Sequence, residues 1–169
     1  MGEIRDKETA SLATRAAITG HLVLSTLHTN SAIGALARLK DLEISPYLLS
    51  TSVSGILAQR LVRKLCPYCK IDSQPSKEEA VFFDIPDDAR VFRKQGCHQC
   101  RNTGYMGRTV IAEVLDFSET LLKLVARDEP ISEILSQAYS EGFSPIKTQA
   151  RERILEGLTS PEEVRRVIG

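Results

Sequence analysis

The sequence predicts an α/β fold that carries an inserted tetracysteine segment and ends in a helical C-terminal region. Three patterns support this prediction. An apolar run at residues 21–27, which includes Leu22, Val23 and Leu24 in succession, lies between two stretches whose small and apolar residues recur at helical spacing. Two Cys-x-x-Cys pairs interrupt the chain between residues 66 and 100, and apolar residues beyond residue 130 again recur at helical spacing.

Composition excludes several classes of protein. The 169 residues include 22 basic residues (Lys and Arg) and 22 acidic residues (Asp and Glu). The chain therefore has no net charge that would favour binding to nucleic acid or to an anionic membrane. Aromatic residues make up 5% and Trp is absent, which argues against a base-stacking surface. No apolar stretch reaches the roughly 18 residues of a membrane span, and no signal peptide is evident. We therefore expect a cytoplasmic protein whose cysteines are reduced.

The first predicted helix runs from Lys7 to Ile18. Asp6 is a suitable N-cap, and Gly20 is a suitable stop. A stripe of small residues would let this helix pack closely against a sheet, and its members are Ala10, Ala13, Ala16 and Ala17. The helix would fix the spacing between Glu3 and His28.

The run at 21–27 is too continuously apolar for a strand with one solvated face. It predicts a strand buried on both faces, as in a parallel sheet. Thr26, His28 and Asn30 follow at alternate positions, so they share one face of an extended backbone. Ligands of open α/β sheets bind at the carboxyl ends of strands, and Glu3 and this polar triplet would converge there.

Two further helices and a strand are predicted before the cysteines. The first helix covers about Ser31 to Leu42 and the second starts at Pro46 and continues to about Ala58. The buried side of the first helix is predicted to consist of Ala32, Ala35, Leu36 and Leu39. Residues 59–65 alternate imperfectly between polar and apolar and are predicted to form a strand.

The four cysteines have the spacing of a structural zinc site. Cys66 and Cys69 form one knuckle and Cys97 and Cys100 the other, so four thiolates can surround one tetrahedral Zn²⁺. Four cysteines leave no open position for a catalytic water. Disulfides and unliganded thiols are the alternatives.

The segment between the knuckles contains a polar loop at 71–77 and a short apolar patch around Phe82 and Phe83. Because it has few large apolar residues, we expect the metal to supply its folding free energy and the segment to be disordered without metal. A strand at Thr109–Leu115 then returns the chain to the sheet, and Glu113 is its one charged residue.

The remainder is predicted to be helical. A helix follows Pro130, with Ile131, Ile134, Leu135 and Ala138 on its apolar face. Gly157 should end another helix. Ser160, Pro161 and Glu163 predict the start of the last helix, with a capping box between Ser160 and Glu163.

Residues Gly2–Asp6 followed by Thr19–Asn30 resemble the Walker B end and the histidine box of the secretion ATPases, the hexameric motors of type II secretion and type IV pilus assembly. Residues 58–66 and the four-cysteine segment are similar to the same family, and the resemblance fades after about Leu115. It implies the C-terminal part of a RecA-like P-loop NTPase domain, in which the strand at 59–65 pairs with a later strand. The implied domains are the ATPase core at 1–65 and 108–126, the zinc insertion at 66–107 and the helical region at 127–169.

ATP hydrolysis needs a positioned water, Mg²⁺ and hydrogen-bonding groups near the γ-phosphate. Glu3 suits the role of general base or water-positioning group, and His28 suits that of a γ-phosphate sensor. The resemblance implies that a further set of residues lies near the nucleotide: Gly2, Arg5, His21, Thr26 and Asn30. Strand parity places His21 on the opposite face from Thr26. Arg5 and Asp6 suit either a subunit contact or the cap of the first helix.

No Gly-x-x-x-x-Gly-Lys-[Ser/Thr] motif occurs in the sequence, and only two residues precede Glu3. We therefore interpret the chain as the C-terminal part of a longer protein that binds ATP and Mg²⁺, and expect it to be inactive alone. The resemblance implies a homohexamer that binds inner-membrane platform proteins and is peripheral to the membrane. The alternatives are a zinc-stabilised interaction module and a paralogue that assembles without hydrolysing ATP.

Overall fold

A computed structural model describes residues 2–169, which fold into eight α-helices and four β-strands. The helices are α1 Lys7–Ile18, α2 Ala32–Asp41, α3 Pro46–Ser52, α4 Lys77–Phe83, α5 Glu119–Ala126, α6 Ile131–Ser140, α7 Ile146–Leu155 and α8 Pro161–Ile168. The strands are β1 Gly55–Leu65, β2 Ile71–Ser73, β3 Val91–Arg93 and β4 Tyr105–Asp116, with a 3₁₀ turn at His98–Cys100. They form two two-stranded sheets, β1–β4 and β2–β3.

The chain divides into two compact units, of which the first comprises residues 2–58 and 113–144. Its core consists of apolar residues from five helices and from the strand ends. The fully buried members are Ala10, Ala32, Leu36, Leu49, Leu115, Leu121, Val125, Ile134 and Ala138. The predicted buried side of α2 is therefore confirmed, as are the bounds of α1 and its Asp6 cap, whose carboxylate accepts from Thr9 N at 2.8 Å.

The predicted buried strand at 21–27 is wrong for the described residues. Leu22 is 87% exposed and Leu24 73% exposed, and the segment makes one isolated parallel bridge, between Glu3 and Thr26. An apolar run becomes a doubly buried strand only where neighbouring strands and a covering layer lie on both faces. Residues 2–169 provide one bridge to this run, and that bridge is parallel as predicted.

The second helix before the cysteines is shorter than predicted. Helix α3 ends at Ser52 and Val53 is extended, so the residues up to Ala58 belong to β1 instead. Leu57, which falls within the predicted helix, lies on the strand and is 59% exposed. Strand β1 pairs with β4 as expected, and both strands extend beyond the ranges that periodicity indicated.

The second unit comprises residues 59–112 and 145–169. The loop predicted at 71–77 is partly a strand, because Ile71–Ser73 pairs antiparallel with Val91–Arg93. The segment between the cysteine pairs also has a larger core than expected. Its buried residues Ala80, Phe83, Ile85 and Val91 pack in one cluster with Val62, Ile111, Ala150, Ile154 and Val164.

The last helix begins at Pro161 with Ser160 as its N-cap, as predicted. The capping box is only half present. Ser160 Oγ accepts from Glu163 N at 3.3 Å, but the Glu163 carboxylate accepts from Arg63 and Arg166 instead of closing the box.

The helices of residues 127–169 divide between the two units, with α6 in the first and α7 and α8 in the second. The boundaries of the ATPase core, the zinc insertion and the helical region stay a prediction. Within residues 2–169, every helix is too short or too polar to serve as a membrane span.

Candidate functional site

Glu3 lies at the start of the first unit and is held there by backbone pairing. Ile4 N donates to Thr26 O at 2.9 Å, and Thr26 N donates to Gly2 O at 3.2 Å. These two bonds form the parallel bridge between Glu3 and Thr26. They align the segment that carries Glu3 with the segment that carries His28, although 25 positions separate the two side chains in sequence.

The structure brings Glu3 and His28 together. His28 Nε2 lies 2.9 Å from Glu3 Oε1, and Arg5 Nε lies 2.6 Å from Glu3 Oε2. The Glu3 side chain is 18% exposed, whereas the His28 ring is 88% exposed. The site therefore combines a half-buried carboxylate with an imidazole that solvent or a ligand can reach.

The other predicted nucleotide-binding residues occupy three different environments. Thr26 Oγ1 donates to Gly2 O at 3.4 Å, so both residues support the bridge beside Glu3. Asn30 is exposed and precedes α2. His21 is exposed and its Nδ1 lies 3.1 Å from Thr19 Oγ1, at the end of α1. Among the described residues, direct side-chain contact with Glu3 is thus made by His28 and Arg5.

The four cysteines lie together in the second unit, with their sulfur atoms all within 4.8 Å of one another. Three Sγ–Sγ distances are 3.8 Å: Cys66–Cys97, Cys69–Cys100 and Cys97–Cys100. A tetrahedron with zinc–sulfur bonds of about 2.3 Å has edges of about 3.8 Å. The cluster can hold one metal ion, and its separations fit tetrahedral Zn²⁺.

Backbone amides donate to two of the sulfur atoms. Gly96 N donates to Cys69 Sγ at 3.3 Å, while Cys97 N and Gly104 N each donate to Cys100 Sγ at 3.2 Å. Burial alone would raise the pKa of Cys100, but the two amides lower this pKa to about 6. The thiolate form that binds a metal is thereby favoured at this position.

Two glycines are required at the knuckles. Gly96 has φ 122° and Gly104 has φ 76°, and a Cβ at Gly104 would lie 2.6 Å from Lys94 Cβ. No local sequence pattern indicates the turn at Gly96.

The comparisons with known proteins decide the family. A family model described as "Type II/IV secretion system protein" matches residues 1–166. The chain belongs to this family. The match extends into α8, so the expectation that the resemblance fades after about Leu115 is wrong.

Relatives in the secretion-ATPase family are similar over almost the whole chain. Type II secretion system protein E of Pseudomonas aeruginosa is 47% identical over 169 residues, which cover 99% of this chain and 34% of that protein. Type IV pilus assembly ATPase TfpB of Acinetobacter baylyi is 44% identical over 172 residues, covering 99% of this chain and 29% of that protein. The chain spans about a third of the length of the curated relatives it matches.

The fold is similar to that of an ATPase of known structure. The ATPase DotB of Yersinia pseudotuberculosis matches with a TM-score of 0.64 and 20% identity, over 98% of this chain and 35% of that chain. The α/β class with a tetracysteine cluster is therefore confirmed.

Proposed function

We propose that this chain supplies the Walker B glutamate and the histidine box of a hexameric ATPase that powers type II secretion or type IV pilus assembly. The observation that carries the proposal is the 2.9 Å contact between Glu3 and His28 in a chain of this family. Glu3 and His28, which lie far apart in sequence and were both predicted to belong to the ATPase site, are thus in direct contact.

Glu3 acts as the general base or orients the attacking water. Its two carboxylate oxygens are engaged by His28 and Arg5. His28 is accessible enough to turn toward a γ-phosphate, which would release one carboxylate oxygen for the water. Mg²⁺, when bound with ATP, neutralises charge on the β- and γ-phosphates. Gly2, Thr26, Asn30 and His21 support the nucleotide side of the site.

Zinc has a structural role in this proposal. Cys66, Cys69, Cys97 and Cys100 bind one Zn²⁺ as thiolates, and four sulfur ligands close the coordination sphere. The metal fixes the two knuckles and takes no part in hydrolysis.

The full-length ATPase to which this chain contributes is a homohexamer. It contacts inner-membrane platform proteins from the cytoplasmic side and does not bind nucleic acid. The balanced charge, 22 basic and 22 acidic residues, supports the last point. The polypeptide of this sequence contains no phosphate-cradling glycine–lysine loop. By itself it is expected to hydrolyse no ATP and to be monomeric or weakly associated.

The test uses a chimera in which this chain replaces the matched segment of the Pseudomonas aeruginosa protein E. Glu3→Gln should lower turnover at least about a hundredfold while ATP binding persists, because the base is lost and the phosphate contacts are kept. Glu8→Gln, an exposed position in the first turn of α1, is the matched control and should retain turnover. A chimera that binds ATP yet hydrolyses none, or one that tolerates Glu3→Gln, would contradict the proposal.

A further inference from the structure

Glu113 is a buried acid without a role in the proposed chemistry. It is 4% exposed, and its Oε1 accepts from Ala32 N at 2.6 Å, across 81 positions of sequence. Ala32 is the first residue of α2. The free N–H groups at a helix N-terminus stabilise a carboxylate there, which offsets part of the cost of burying the charge.

Helix α2 begins directly after the histidine box. A tight turn joins the two, because Thr29 N donates to Leu27 O at 3.1 Å and Thr29 Oγ1 donates to Ser31 O at 3.3 Å. His28 lies inside this turn, so its position depends on how the two ends of the turn are held.

The two ends have different anchors. The near end is anchored at Thr26, by its bridge to Glu3. The far end is anchored at Ala32, by the bond to Glu113 and by the Ser31 cap, whose Oγ accepts from Gly34 N at 3.1 Å. Without the bond to Glu113, the far end would keep the Ser31 cap and the buried side of α2 but would lose this hydrogen bond to β4, so the turn that carries His28 would be held less firmly.

We infer that Glu113 is a positioning residue for His28: it fixes the N-terminus of α2 and thereby holds the histidine within reach of Glu3. This inference rests on the proposed function. It assigns to this buried glutamate of β4 a part in hydrolysis that acts through α2 and His28.

The first measurement is amide hydrogen exchange on the chain itself. Glu113→Leu removes the acceptor at similar volume and should make residues 28–34 exchange about tenfold faster, since hydrogen bonds to charged groups are strong. Glu113→Gln keeps an acceptor oxygen and should restore most of the protection. Glu163→Gln alters an equally buried glutamate of the second unit and should leave residues 28–34 unchanged.

The second measurement is turnover in the chimera. Glu113→Leu should lower kcat about tenfold with KM for ATP within about twofold, since a misplaced catalytic group affects the transition state more than binding. Glu113→Gln should recover most of kcat. If exchange accelerates while kcat is unchanged in both variants, Glu113 only stabilises α2 and the inference is wrong. Full turnover of Glu3→Gln in the same chimera would instead refute the proposed function.

Discussion

His28 Nε2 lies 2.9 Å from Glu3 Oε1, although the two residues belong to segments joined by the whole of α1. Under the proposed function, His28 leaves this carboxylate for the γ-phosphate when ATP binds. His28→Ala in the chimera should therefore reduce the preference for ATP over ADP about tenfold, the order expected for one lost charge-assisted hydrogen bond. Equilibrium binding of both nucleotides measures this preference. Glu8→Gln is the control and should leave the preference within about twofold of that of the unsubstituted chimera, because Glu8 is exposed in the first turn of α1.

A buried carboxylate should dominate the stability of the second unit. Glu163 is 1% exposed and accepts from Arg63 Nη2 at 2.6 Å, Arg63 N at 3.1 Å and Arg166 Nη2 at 2.7 Å. Glu163→Gln leaves both guanidinium groups without this charge and should cost about 3 kcal/mol of unfolding free energy. Urea denaturation would measure the loss. Glu152→Gln, an exposed position on α7, should cost less than about 0.5 kcal/mol. Equal losses in both variants would contradict this assignment.

The lowered pKa of Glu163 predicts that the fold loses stability in acid. Burial by itself raises the pKa of Glu163, but hydrogen bonds from Arg166 and Arg63 outweigh it and lower this pKa to about 2. A glutamate of the unfolded chain has a pKa of about 4.3. Glu163 therefore stabilises the fold above about pH 4.3, and its contribution is lost as the pH falls toward 2. The stability difference between the parent and Glu163→Gln should be constant from pH 5 to 7 and shrink at pH 3. A stability difference between the two proteins that grows as the pH falls would contradict this prediction.

Metal removal should have a local effect. Phe83, Ile85 and Val91 pack with residues of α7 and α8, so the segment between the cysteine pairs shares a hydrophobic core with those helices. We therefore replace the expectation of general disorder by a narrower one. Chelation, or Cys97→Ser, should accelerate amide exchange at residues 66–70 and 96–104, while α4 keeps its protection. Metal analysis should give one Zn²⁺ for each parent chain. Loss of protection in α4 as well would mean that zinc, and not the core, holds the segment together.

Local patterns predicted much of the fold. The caps at Asp6 and Ser160, the buried face of α2 and the helix after Pro130 all depend on residues within one or two turns of each other. The cysteine cluster was also predictable, because metal geometry fixes the spacing within each pair. The proximity of Glu3 and His28 was predicted from their places at one edge of a sheet, and the resemblance to a family added the roles of the two residues.

The misses share a cause, which is dependence on distant partners. Glu113 and Ala32 are 81 positions apart, and Arg63 and Glu163 are 100 positions apart. No local spacing links either pair. The sequence therefore showed Glu113 as the one charge of a predicted strand and Glu163 as a capping-box residue, without indicating the distant partner of either. The apolar run at 21–27 failed for the same reason, since its sequence specifies an extended apolar segment but not what covers it.

The pairing of Glu3 with His28 is tested most directly by the turnover of chimeras that carry Glu3→Gln, His28→Ala and both changes together. Residues that act as one unit have non-additive effects. We expect each single variant to lose most of its activity and the double variant to be no slower than the slower single variant. If the two losses multiply independently, or if His28→Ala retains the turnover of the parent, Glu3 and His28 do not form one catalytic site.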